Sequence, residues 1–125
     1  MYTAMRRLLK PGSHGIIDYI VVVFLLLTPA LFGLQEPAAT FAYVLGGVHL
    51  LLTLLTDFPF GVIGVIPFRI HGLIEVLVSI FLVFSPYAIG FTQDPIGSWF
   101  FPTFGVIILI VFLVTDYSFP KPMGD

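Results

Sequence analysis

Four long apolar runs, 15–34, 38–56, 72–91 and 96–115, alternate along the chain with short polar breaks. Each comes close to the about 20 residues that a helix rising 1.5 Å per residue needs to cross roughly 30 Å of hydrocarbon. None shows the two-residue alternation of a membrane-barrel strand, so the runs predict transmembrane helices. The breaks Gln35-Glu36-Pro37 and Thr92-Gln93-Asp94-Pro95 are short polar turns, each closed by a proline suited to the first turn of the next helix. The pattern therefore predicts two antiparallel helical hairpins. Between them, residues 58–70 read FPFGVIGVIPFRI, apolar but too short to span and broken by Pro59, Pro67 and two glycines. This stretch is expected to lie in the membrane interface.

The second hairpin restates the first. A shift of 57 residues pairs His14 with His71, Gly15 with Gly72, Asp18 with Glu75, Phe24 with Phe81, Thr28-Pro29 with Ser85-Pro86 and Gly33 with Gly90. One extra residue in the second turn brings Pro37 onto Pro95 and Gly47 onto Gly105, and one more brings Thr56-Asp57-Phe58 onto Thr115-Asp116-Tyr117. The recurrence also rules out reading Arg6, Arg7 and Lys10 with the first run as a secretory signal, because the copy stands deep inside the chain. The expected fold is an all-α membrane protein of four transmembrane helices, two tandem duplicated hairpins related by a pseudo-twofold axis along the membrane normal. It forms a single membrane domain, 1–125, with repeats at about 14–58 and 71–117, an interfacial linker at 59–70 and a short cytoplasmic tail at 118–125.

Thr28-Pro29-Ala30-Leu31-Phe32-Gly33 and Ser85-Pro86-Tyr87-Ala88-Ile89-Gly90 close the first helix of each hairpin. They resemble the Ser-Pro-Trp signature of the SPW-repeat membrane proteins of bacteria and archaea, with Ala30 and Tyr87 at the tryptophan position. The resemblance implies a fold of such hairpins and lends no catalytic residue. Physically, the proline removes a helical hydrogen bond, the hydroxyl beside it can satisfy a freed carbonyl, and the glycine permits a left-handed cap. Gly46-Gly47 in the second run reads as a close-packing site.

Composition agrees with a membrane location. Of 125 residues, 58% are hydrophobic and only 10% charged, with a mean hydropathy of +1.10, whereas soluble domains carry about 25% charged residues. The absence of cysteine excludes disulfides, thiolate metal sites and cysteine nucleophiles. A net charge of -2 without any basic run excludes a nucleic-acid partner. All five basic residues, Arg6, Arg7, Lys10, Arg69 and Lys121, fall on the side of the termini and the central linker, while the hairpin turns carry only Glu36 and Asp94. The positive-inside rule then places both termini in the cytoplasm, in a multi-pass protein of the inner membrane.

The polar residues within the apolar runs carry the candidate chemistry. His14 and Asp18 are four residues apart, as are His71 and Glu75, so each pair shares a helical face. Asp57 and Asp116 end the second and fourth helices at the same level, which makes His14, Asp18, Asp57, His71, Glu75 and Asp116 a candidate divalent-metal or proton-handling cluster. A structural reading stands beside it: carboxylates complement the positive helix N-terminus, and Asp57 and Asp116 can cap the segments after them. His49 has no counterpart, since Ile107 occupies its place, and is expected to be hydrogen-bonded within the bundle. No phosphate loop, HExxH pair, haem-attachment motif or nucleophile elbow occurs, so no catalytic residue is assigned. His-x-x-x-Asp/Glu departs from the Glu-x-x-His spacing of di-iron bundles, and a bis-histidine haem between His14 and His71 would fit the repeat.

Two function classes follow. The first is a non-enzymatic structural or accessory subunit, held in the lipid bilayer and assembled as a homo-oligomer or with other membrane proteins. The second is a metal- or proton-handling membrane protein, a small transporter or redox accessory that uses the histidine and carboxylate cluster.

Overall fold

The computed structural model describes residues 8–120. Its four long helices are α1 (Pro11–Phe32), α2 (Ala38–Leu55), α3 (Phe68–Ser85) and α4 (Gly97–Val114), and each span is long and apolar enough to cross a membrane. A single π-helical turn, Pro86–Gly90, extends α3. α1 packs chiefly on α2 and α3 chiefly on α4, as the short turns require. The outward faces carry exposed Ile20, Leu27, Leu51, Leu77 and Ile110, the side chains that lipid would cover. Arg6, Arg7 and Lys121, on which much of the orientation argument rests, lie outside the described residues; Lys10 and Arg69 are described, just before α1 and in the first turn of α3.

Both helices begin earlier than the hydrophobic runs suggest. α1 starts at Pro11 and α3 at Phe68, so His14 and His71 sit inside the first turn rather than ahead of it. Pro11 at the first helical position tolerates the start because its missing N–H would have had no helical acceptor there. The stretch between the hairpins is more ordered than an interfacial loop: β1 (Thr56–Asp57) pairs in parallel with β2 (Ile66–Pro67), and Val62 and Ile63 donate to Leu54 O. Between the start of α1 and the end of α4, Leu9 forms a parallel bridge with Thr115. The entry to each odd-numbered helix is thus tied to the exit of an even-numbered one, α3 to α2 and α1 to α4.

The repeated proline motif ends both helices through one hydrogen bond pattern. Leu34 N donates to Pro29 O at 3.1 Å and Phe91 N donates to Pro86 O at 2.9 Å. Gly33 and Gly90 take φ values of 61° and 92°, a region closed to most L-residues. Ser85 donates to Leu82 O at 2.8 Å, the carbonyl that Pro86 leaves without its helical N–H, whereas Thr28 donates to Phe24 O at 2.6 Å, one residue short of the carbonyl that Pro29 frees. Of the two adjacent glycines in α2, only Gly46 is a packing site, against Leu25 and Leu26; a methyl group on Gly47 would meet nothing.

Two apolar clusters flank the middle of the bundle. At the turn end, Leu25, Ala38, Ala42, Leu82, Phe91, Phe101 and their neighbours form the larger core. Asp94 is buried there, at 6% exposure, and does not display its charge in the turn. Its Oδ1 accepts from Ile96 N and Gly97 N, capping α4, and its Oδ2 accepts from Gln35 N of the other hairpin at 3.2 Å. At the opposite end Phe58, Phe68 and Tyr117 form a smaller cluster. The polar side chains gather beneath it.

Candidate metal centre

Helical spacing delivers the first two pairs. In α1 His14 Nε2 lies 3.3 Å from Asp18 Oδ1, and in α3 His71 Nε2 lies 2.8 Å from Glu75 Oε1. The pairs then cross between hairpins: His14 Nε2 is 3.0 Å from Glu75 Oε1, and His71 Nε2 is 3.1 Å from Asp18 Oδ2. Ligand-capable atoms of His14, Asp18, His71 and Glu75 all lie within 4.8 Å of one another. Both histidines are fully buried and the carboxylates are 3% and 4% exposed. Asp18 stands seven residues into α1, about 10 Å along the helix from Pro11.

The other face of each imidazole is held by a threonine. Thr115 Oγ1 is 2.9 Å from His14 Nδ1, and Thr56 Oγ1 is 2.7 Å from His71 Nδ1. Each hydroxyl donates its only proton to a carbonyl of its own helix, Thr115 to Val111 O and Thr56 to Leu52 O, both at 2.6 Å. Each can therefore only accept from the histidine, which assigns the proton to Nδ1 in both rings. Nε2 is left facing the carboxylates. A bare nitrogen lone pair opposite a carboxylate oxygen at 2.8–3.3 Å is repulsive, so a cation belongs between them.

Protons on both Nε2 atoms would balance the two carboxylates in charge but would leave the hydrogen bonding incomplete. Each ring then has one N–H to give at this side, and both are directed at the same atom, Glu75 Oε1. Asp18 Oδ2 is close to His71 Nε2 but outside hydrogen-bonding geometry, and no hydrogen bond reaches it although it is buried. An unsatisfied buried carboxylate oxygen is costly. A divalent ion at the centre would balance two carboxylates and use all four donors. Three of the four imidazole-to-carboxylate separations of 2.8–3.3 Å match the about 2.8–3.1 Å between neighbouring ligand atoms of an octahedral ion with bonds of about 2.0–2.2 Å, and the longest reaches the about 3.3–3.6 Å of a tetrahedral one. A bis-histidine haem does not fit, because Asp18 and Glu75 occupy the space between the two Nε2 atoms.

The surroundings support the four ligands. Tyr117 donates to Glu75 Oε2 at 3.1 Å, and burial together with that carboxylate pushes the phenol pKa well above its ordinary value of 10.0, so the hydroxyl keeps its proton. Phe68 packs edge-on against both imidazoles, with ring centroids 5.3 Å from His14 and 5.7 Å from His71; Phe58 stacks on Phe68, and Tyr117 lies tilted against it. Gly15 and Gly72 make room for this cover. A Cβ on Gly15 would lie 2.8 Å from Phe58 and one on Gly72 would lie 2.7 Å from Tyr117.

Of the six residues expected in the cluster, four converge. Asp57 is exposed and outside the ligand group, and Asp116 instead accepts from Ser118 N at 3.0 Å in a local turn. The reason is strand alternation: in an extended segment consecutive side chains point to opposite sides, so Thr56 and Phe58 face inward and Asp57 outward, and Thr115 and Tyr117 do the same around Asp116. The contributing threonines stood beside the chosen aspartates, repeated with them. His49, half-buried in α2, places Nε2 3.4 Å from Asp18 Oδ1 without a hydrogen bond of its own. Comparisons with protein-family models, curated proteins and solved structures return no match.

Proposed function

We propose that this chain is a multi-pass membrane protein built around one buried divalent-metal centre, with His14 and His71 binding through Nε2 and Asp18 and Glu75 through carboxylate oxygens. The observation that carries the reading is the convergence of these four donor atoms while both Nδ1 atoms are turned away onto threonine hydroxyls that can only accept. An acceptor on the far ring nitrogen orients a histidine on a metal, and here the threonine hydroxyls supply it. Mixed imidazole and carboxylate donors suit zinc, iron(II) or manganese(II). In this account the hairpins are duplicated units related by a pseudo-twofold axis along the membrane normal, supported by the matched contacts His14–Thr115 and His71–Thr56, Gly15–Phe58 and Gly72–Tyr117. Helices α1 and α3 face that axis, and the centre lies toward the cytoplasmic side of the inner membrane, where Lys10 and Arg69 also stand. The likeness of the two proline motifs to SPW-repeat proteins belongs to the same proposal, as does packing against further copies or other membrane proteins through the apolar outer faces.

A second reading has one observation in its favour. Both Nε2 atoms are within hydrogen-bonding distance of Glu75 Oε1, at 3.0 and 2.8 Å, so a doubly protonated histidine pair could clamp the hairpins together without metal. Elemental analysis of the protein purified in detergent separates the two. The metal reading expects one divalent ion per chain, lost in the His14→Ala, His71→Ala double variant; a metal-free parent of normal stability would support the clamp.

A further inference from the structure

We propose, resting on the metal-centre reading, that the ion keeps one coordination position for a small exogenous ligand, held in a recess between the centre and His49. The two sides of the centre differ. Toward the helix entries it is closed by Thr56, Thr115, Phe58, Phe68 and Tyr117. Toward the middle of the bundle lie two small cavities that share His49, Glu75 and Ile108, one of about 40 Å³ and one of about 50 Å³; the larger is the recess, since it alone also borders Asp18, alongside Val21 and Phe104.

Its size and lining select the occupant. A water needs roughly 10–15 Å³ of such volume and two or more polar partners, whereas organic ligands need some 300 Å³ or more. The recess therefore takes water, or a metal ligand of two or three heavy atoms, and excludes an organic substrate. With Asp18 held by the ion, one buried polar atom beside the recess is left without a hydrogen-bond partner, His49 Nε2. A ligand on the ion would lie where His49 Nε2 can hydrogen-bond to it. Nothing in the duplication demands that histidine, since Ile107 stands at its counterpart in the second hairpin. Its presence in only one of two equivalent positions marks a one-sided ligand site rather than a copied folding device.

The test uses the full chain in detergent, loaded with cobalt(II) and followed by its visible spectrum during titration with azide, a three-atom anionic metal ligand. Azide should replace the resting water and change the d–d bands saturably in the parent. His49→Ile, which installs the residue of the other repeat, should hold cobalt but bind azide about tenfold more weakly for loss of one hydrogen bond. Val21→Phe or Ile108→Phe, which fill the recess, should hold cobalt and show no azide response. A parent that binds cobalt but ignores azide, or a His49→Ile variant that matches the parent, would overturn this inference and leave the metal centre standing. A parent that binds no cobalt would sink the metal centre, and this inference with it.

Discussion

Thr115 accepts a hydrogen bond from His14 Nδ1 at 2.9 Å while giving its own proton to Val111 O, and in doing so aims the opposite nitrogen of the ring at Asp18 and Glu75. Replacing it with valine keeps the shape and removes the acceptor. Metal affinity of Thr115→Val should fall about 10- to 100-fold, as for other outer-shell losses. Thr56→Val should act alike through His71. Competition with a chromophoric chelator measures the change, and Thr115→Ser should recover most of it.

The two glycines under the aromatic cover should resist even a methyl group. Gly72→Ala would press on Tyr117 and Gly15→Ala on Phe58, each at a cost of about 1–3 kcal/mol for overpacking. Gly47→Ala, which meets no atom within 4 Å, should be neutral or stabilising by up to about 1 kcal/mol. Thermal unfolding in detergent ranks the three. Gly72→Ala should cost less when combined with Tyr117→Ala, since the two sites share one contact.

Tyr117 supplies a pH dependence with a definite sign. Its phenol is held above the ordinary value of 10.0 by burial and by Glu75, so the folded state keeps a proton that the unfolded chain releases first. The stability this provides is complete below pH 10 and declines as pH rises above it toward the raised folded value. Tyr117→Phe should start from lower stability, having lost the bond to Glu75, but should lack this alkaline loss. A parent and variant with parallel profiles between pH 8 and pH 11 would remove Tyr117 from the account.

Orientation is testable at exposed positions. Gln93, in the turn before α4, should be reached by an impermeant thiol reagent on intact cells once changed to cysteine. Val62, exposed between β1 and β2, should be labelled only after lysis when changed in the same way. The opposite pattern would invert the topology. Gln93 is the better probe than its neighbour Asp94, whose carboxylate is buried and caps α4.

Helix number and the short turns were legible because apolar run length and turn proline each have one physical meaning in a bilayer. The convergence of four of the six candidate residues was legible for a similar reason: an i, i+4 pair shares a helical face wherever the helix goes. Asp57 and Asp116 misled because they lie just past the helix ends, in extended backbone, where a shift of one residue exchanges inside for outside. The parallel pairing of Thr56 with Ile66 makes that segment extended, and pairing between a helix exit and the next helix entry leaves little trace in hydropathy. His49 was expected to be hydrogen-bonded within the bundle, and its Nε2 is not: it lies 3.4 Å from Asp18 Oδ1, outside hydrogen-bonding geometry.

The central claim is that two imidazoles and two carboxylates bind one ion. X-ray absorption at the metal edge of the purified, metal-replete protein reads this directly. The expected coordination sphere is nitrogen and oxygen at about 2.0–2.2 Å, with more distant scattering from two imidazole rings and none from sulfur. His14→Ala should reduce the imidazole count to one, and the double variant with His71→Ala should abolish stoichiometric metal. A bound ion without imidazole scattering, or a well-folded parent that takes up no metal at any loading, would contradict it.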